Sequence, residues 1–307
     1  MNDDCDRVAW VGGPRMWLAW STAAAGFLAL AASFGLSLAH ASAEPVGRAF
    51  DGGATAPLDG DPSAARLLEG GAEDAPLVAI VIDDVGLDPV ATARAIGLPA
   101  RVSLALLPYA PRISEIDAEA RAAGHETLVH LPMEPSGFAD PGPDALTTWL
   151  TPQAVRDYAE EAFAQAPGAR GVNNHMGSRF TACAPCIAPV AEAAAAHGLF
   201  VLDSLTTPDS RFADEAGPAG TQAIRRDVFL DNVADEEVVL AALRRAEGIA
   251  TRRGDAVAIG HPHDATLSAL ERWVPEAQAR GVAVGRVGDA LERRALAEET
   301  FVAHARP

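Results

Sequence analysis

Lysine is absent: all 24 basic residues are arginine, set against 42 Asp plus Glu, and the formal net charge is −18. A body this acidic repels a phosphate backbone, which excludes nucleic acid as a partner. The arginine-only composition reads as coding bias rather than function. Cysteine is scarce too, and three in 307 residues are too few for a disulfide scaffold. Long apolar runs are missing except for one, which excludes a polytopic membrane protein. At 49% hydrophobic residues the chain can still bury a sizeable core, so wholesale disorder is excluded as well.

The one long run is MWLAWSTAAAGFLALAASFGLSLA, residues 16–39, without a charge. Arg7 and Arg15 precede it, and Ala41-Ser42-Ala43 follows as a small-x-small site for a signal peptidase. It is longer than a usual signal core and long enough to span a bilayer. Residues 1–43 therefore read as a cleaved signal peptide or a membrane anchor through 16–39, with a buried soluble helix as the third reading. The first two put the rest of the chain in the periplasm or on the outer face of the inner membrane. Asp3, Asp4 and Asp6 weaken the positive-inside argument. Cys5 precedes the run, whereas a lipoprotein signal places its cysteine after it. Residues 44–75 are rich in Gly, Ala, Pro and Asp and show no period, so they read as a flexible linker.

From Leu77 short apolar runs alternate with helical patterns. The runs are LVAIVI (77–82), VSLALL (102–107), ETLVH (126–130), GVNN (171–174), LFVLD (199–203), DVFLD (227–231), AVAIG (256–260) and VAVGR (282–286). Asp88-Pro89 and Thr151-Pro152 are helix starts, each a capping side chain followed by a proline at the first helical position. Residues 234–253 and 265–280 carry helical periodicity. Continuous apolar strands separated by helices predict a parallel sheet covered on both faces. Residues 76–303 thus read as an α/β domain, a (β/α) barrel of seven or eight units, with a doubly wound open sheet as runner-up.

The unusual polar residues sit at strand ends. Asp83 and Asp84 follow the first run, His130 ends the third and His175 follows the fourth. Asp203 and Asp231 end the fifth and sixth, and His261 and His263 follow the seventh. In a parallel barrel these ends share one face, which carries the active site. Adjacent strand residues point to opposite faces, so Asp83 and Asp84 would differ in role as the strand unwinds. His130 and Glu134, four apart, can deliver an imidazole and a carboxylate to one divalent ion. His261-Pro262-His263 offers imidazoles suited to general acid work.

VIDDVG (81–86) resembles the first motif of the NodB-homology polysaccharide deacetylases, and AGHETLVHLPMEP (123–135) resembles their second. Glu134 stands where that motif has its second metal histidine. With NNHMGSRFT (173–181), LDS (202–204) and AIGHPH (259–263), the chain is similar to the divergent polysaccharide deacetylase branch, the YibQ-like proteins, over roughly residues 76–300. The resemblance implies a distorted (β/α) barrel and a divalent metal, commonly zinc. It also implies hydrolysis of N-acetyl groups on an amino-sugar polysaccharide of the cell envelope. It makes Asp83 the catalytic base, Asp84 and His130 metal ligands, and His261 the catalytic acid. Glu134 or His175 is the third ligand. Asp203 or Asp231 orients His261, and Arg179 holds a carboxylate or orients Asp83, if it is not a plain surface arginine. A catalytically inactive barrel that binds glycan or an envelope partner is the alternative; another metallohydrolase is the third reading.

Cys183-x-x-Cys186 suits a structural disulfide in an oxidising compartment, with a redox pair or two free thiols as alternatives. Phe138 and Trp149 lie in the long connection after the third strand, either stacking on sugar rings or packing the loop down. His125, at a strand start, reads as structural.

Overall fold

The computed structural model describes residues 75–304. The signal or anchor at 1–43, Cys5 and all of the linker at 44–75 except Ala75 lie outside the described residues. No described helix is long and apolar enough to cross a membrane.

Among the described residues nine parallel strands are joined by helices, except where the sixth strand leads directly into the seventh. The strands are β1 (Leu77–Val85), β2 (Ser103–Leu106), β3 (Glu126–Met133), β4 (Gly171–Met176), β5 (Phe200–Asp203), β6 (Ala223–Arg225), β7 (Val228–Phe229), β8 (Asp255–Gly260) and β9 (Ala283–Gly285). The helices are α1 (Pro89–Ile96), α2 (Ile113–Ala122), α3 (Pro152–Gln165), α4 (Ala184–Ala196), α5 (Phe212–Ala219), α6 (Glu236–Arg253), α7 (Asp264–Ala279) and α8 (Val287–His304). The caps read from sequence are in place. Asp88 accepts from the amides of Val90 and Ala91, and Thr151 from that of Ala154. Both side chains satisfy donors that the first helical turn leaves free.

The ladder order is β6-β5-β4-β3-β2-β1-β8-β7, with β9 on the first half of β1. β6 and β7 stand at opposite ends of that order, yet only Arg226 and Asp227 separate them. Eight strands laid flat, about 4.8 Å apart, would hold the two ends roughly 34 Å from each other. Three Cα steps reach about 11 Å at most. The sheet must therefore curl into a barrel, which rules out the open doubly wound alternative. Arg226 N donates to Asp203 O on one side of the seam and Asp227 N to Val257 O on the other.

Alternation along the strands divides the core in two. Leu77, Ala79, Val81, Leu128, Leu202, Val257 and Ile259 pack inside the barrel, while Val78, Ile80, Ile82, Val129, Val201 and Ala258 pack outward against the helices. The start of α8 plugs the bottom. Val287, Ala290 and Leu291 join the inner cluster, and Gly288 N donates to the buried Glu126 carboxylate at 3.1 Å. Ser103 Oγ donates to the same oxygen at 2.7 Å.

Three details depart from the sequence reading. Asp83 and Asp84, His130 and His175 lie within β1, β3 and β4, which run on past them to Val85, Met133 and Met176. β6 was not anticipated, because only three residues of a polar stretch form it. The run at 227–231 is a strand only at Val228 and Phe229, so Asp231 lies in the loop beyond.

Trp273, on α7, is fully buried, and its indole N–H reaches Glu247 Oε2 at 3.4 Å. Trp273→Ala is expected to cost about 3–5 kcal/mol through the cavity it leaves, measured as a shift in the midpoint of chemical unfolding.

Candidate metal centre and acid–base pair

Residues 77, 79 and 81 of β1 face inward, so Asp83 continues the inner row. Asp84 should then face outward, as adjacent strand residues do. It does not. Asp84 adopts φ 57°, and the β1–β2 register shifts between Ile82 and Val85. This is a bulge, one extra residue that re-aims a side chain, and aspartate tolerates the left-handed region better than most. The alternation resumes with Val85 in the outer cluster. Both carboxylates thereby meet one imidazole: His130 Nε2 lies 3.2 Å from Asp84 Oδ1 and 3.7 Å from Asp83 Oδ2.

His130 and Asn173 are register partners on β3 and β4, and His175 lies two residues further along the same inner row. His175 Nδ1 is 2.8 Å from Asp84 Oδ1 and 3.2 Å from His130 Nε2. Asp84 Oδ1 is buried and makes no well-directed hydrogen bond. Three potential ligand atoms thus converge on one point, where the buried Asp84 Oδ1 has no hydrogen-bond partner. A divalent cation fits this arrangement, and two imidazoles with one carboxylate are a donor set that zinc accepts.

On the far side His261, next after β8, aims Nε2 to within 3.9 Å of Asp84 Oδ2. Asp231 holds it from behind. Asp231 Oδ1 lies 3.1 Å from His261 Nδ1, while Oδ2 accepts from His261 N at 2.6 Å and from Thr266 Oγ1 at 2.8 Å.

Environment separates the two carboxylates. Burial pushes the pKa of Asp83 up, despite the opposing charges of His130 and His261 and a 2.8 Å hydrogen bond from Asn173. Burial also opposes the charge on Asp84, but His130 and His175 outweigh it and hold its carboxyl well below the usual range. Burial alone would lower His130 and His261. The charges of Asp83 and Asp84 raise His130 instead, and the Asp231 bond with the charge of Asp83 carries His261 to about 9.

Several candidates fall elsewhere. Asp203 does not orient His261: it follows Val201 on the outer row of β5 and accepts from Ser210 Oγ and the amides of Leu205 and Ala213. Glu134 is not brought to the metal cluster. The chain turns away after Met133, and Glu134 Oε2 accepts from Thr148 N at 2.7 Å and Thr148 Oγ1 at 2.8 Å. Arg179 does not reach Asp83; it sits 3.5 Å from Glu134 and so holds a carboxylate. The Glu134 carbonyl also accepts from Arg179 N and Phe180 N, so this residue clamps the connection to α3. His263 is exposed, its ring 5.7 Å from that of His261. With Asp231 and His261 it makes a second group of three potential ligands among the described residues, but both Asp231 oxygens are already engaged. His125 is structural, bonding Val102 N and Ile96 O. Cys183 and Cys186 are joined by a disulfide.

Two residues at the site were not singled out from sequence. Asn173 bridges Asp83 and His130; the double Asn of GVNN was visible, but not which one faces inward. Arg226, in the seam, donates to Ser204 O at 2.7 Å and Leu205 O at 2.9 Å and lies over the Phe229 ring. Its position depends on closure of the barrel.

Residues 80–291 match the family described as divergent polysaccharide deacetylase. The chain belongs to that family. The chain is 34% identical over 197 residues to the uncharacterized protein YibQ of Escherichia coli K12, covering 64% of this chain and 62% of that protein. The match thus spans less than two thirds of the E. coli relative. An uncharacterized protein of Haemophilus influenzae Rd is 33% identical over 202 residues, covering 65% of this chain and 72% of that one. The crystal structure of an uncharacterized protein from Agrobacterium tumefaciens C58 superposes with a TM-score of 0.66 at 29% identity, covering 70% of this chain and 91% of the other.

Asp231→Asn removes the charge that holds the His261 proton. In the metal-free protein the His261 pKa is expected to fall from about 9 toward its ordinary 6.5, read by NMR titration of the ring protons. The wild-type ring binds its proton more tightly folded than unfolded. Its stabilising contribution is therefore complete below pH 6.5 and fades as pH rises through about 9.

Proposed function

We propose that this member of the family is a metal-dependent hydrolase that removes N-acetyl groups from an amino-sugar polymer of the cell envelope. The observation that carries the reading is the convergence of Asp84 Oδ1, His130 Nε2 and His175 Nδ1 between a buried carboxylate and a carboxylate-held imidazole. Asp84, His130 and His175 would hold the ion, with zinc favoured by the nitrogen-rich donor set. When bound, such an ion supplies Lewis acidity to the acetamide carbonyl and to the attacking water. Asp83, its pKa raised by burial, takes the proton from that water as the new C–O bond forms. His261 enters protonated, held at Nδ1 by the Asp231 carboxylate 3.1 Å away. It gives its Nε2 proton to the leaving nitrogen as the C–N bond breaks. Acetate and a free amine are the products.

Phe138 and Trp149 are 110% and 85% exposed on the β3–α3 connection, so they do not pack that loop down. They offer apolar faces for sugar rings beside the barrel rim, where a neutral chain is compatible with the acidic surface. The export reading of residues 1–43 and the Cys183–Cys186 disulfide support a location outside the cytoplasm, in the periplasm or on the outer face of the inner membrane.

Elemental analysis of the purified chain, with an acetate-release assay on N-acetylglucosamine oligomers, tests the reading. One equivalent of metal and release of acetate are expected. Stoichiometric metal without acetate would favour the glycan-binding alternative. Asp84→Ala and His175→Ala should each lose the metal and all turnover, whereas Glu134→Gln should keep one equivalent. Trp149→Ala is expected to raise KM for a long oligomer several-fold while leaving kcat near that of the parent.

A further inference from the structure

We infer that Asn173 is a positioning residue that fixes the tautomer of His130 and so reserves the Nε2 lone pair for the cation. The inference rests on the metal-centre reading above and adds a residue to it. Asn173 is fully buried on the inner row of β4, beside its register partner His130. Its Nδ2 donates to Asp83 Oδ1 at 2.8 Å and to Ser204 Oγ at 3.2 Å. Its Oδ1 lies 2.9 Å from His130 Nδ1.

The two ends of the amide are not interchangeable. An ionised carboxylate only accepts, so it must face the NH2 end; the flipped amide would set oxygen against oxygen. The carbonyl end only accepts as well, so His130 Nδ1 must carry a hydrogen. A neutral imidazole has one N–H and one lone pair, and the lone pair is then on Nε2. That atom is the one 3.2 Å from both Asp84 Oδ1 and His175 Nδ1. The other tautomer would aim an N–H at the cation position and leave two acceptors facing each other at the Asn173 contact.

The chain of dependence runs from charge to geometry. The Asp83 charge sets the amide orientation, the amide sets the His130 proton, and the His130 proton sets which nitrogen is free to ligate. Ligand histidines are commonly oriented through their second nitrogen, and loss of such a partner weakens metal binding roughly 10–100-fold. Here the partner is a carboxamide rather than a carboxylate. It lets one residue serve the base and the ligand together.

Three measurements on the full chain test this, none of which depends on turnover. A long-range 1H–15N spectrum of the metal-free protein, taken at the alkaline end of a pH series, should show His130 as the Nδ1–H tautomer. The Nε2–H form there would overturn the inference whatever any variant does. Asn173→Ala should mix the tautomers and weaken zinc binding roughly 10–100-fold in competition with a chromophoric chelator. Asn173→Asp keeps an acceptor for His130 Nδ1 and should hold the Nδ1–H tautomer, although it sets a second carboxylate against Asp83 Oδ1. Asn173→Ala with unchanged tautomer and affinity, or mixed tautomers in a folded Asn173→Asp, would reduce Asn173 to a packing role.

Discussion

A regular β-strand sends consecutive side chains to opposite faces, so two adjacent aspartates on β1 can serve one site only if the strand breaks its own period. The bulge at Asp84 is that break. A non-glycine residue in the left-handed region costs of order 1–3 kcal/mol and persists where its surroundings over-determine it. Here residues 77–82 are buried on both faces and hydrogen-bonded to β8, which leaves the strain no route to relax along the strand. Met176 and Leu205, at the ends of β4 and β5, also have positive φ, so the distortion is concentrated on the rim where the site is built.

Once both carboxylates face inward, their surroundings give them different chemistry. Asp83 is enclosed and accepts a hydrogen bond from a neutral amide, so its charge is destabilised and its affinity for a proton rises. Asp84 stands between two imidazoles, which stabilise its charge. The same principle acts on the opposite wall, where Asp231 makes a proton carrier of His261. Pairs of titratable groups whose environments push their pKa values apart mark acid and base roles.

Glu134 stands where the related motif has a second histidine, yet it is turned away from the cluster of Asp84, His130 and His175. The motif it occupies would supply a second histidine from the segment after β3. Here the neighbouring strand supplies His175, two residues past the register partner of His130. Glu134 instead binds Thr148 and Arg179 and ties down the connection that carries Phe138 and Trp149. The departure therefore ties the shape of the rim to the end of β3 through backbone.

The sequence alone determined the alternation of strands and helices, the caps at Asp88 and Thr151, and the clustering of acids and imidazoles at strand ends. Each of these is written locally, in a period, a capping side chain or a motif. It could not determine facing. In a parallel sheet covered on both sides every strand position is apolar, so inner and outer rows look alike. That is why Asp203 and Asp231 were equal candidates until β5 turned the first outward and barrel closure brought the second beneath His261. It is also why Glu134 and His175 stayed open as the third ligand. Which of them lies beside Asp84 and His130 depended on β3 ending at Met133 and on a register between strands 43 residues apart at His130 and Asn173. The Asp84 bulge and the two-residue seam belong to tertiary structure for the same reason, since both arise from pairing between strands and not from any segment by itself.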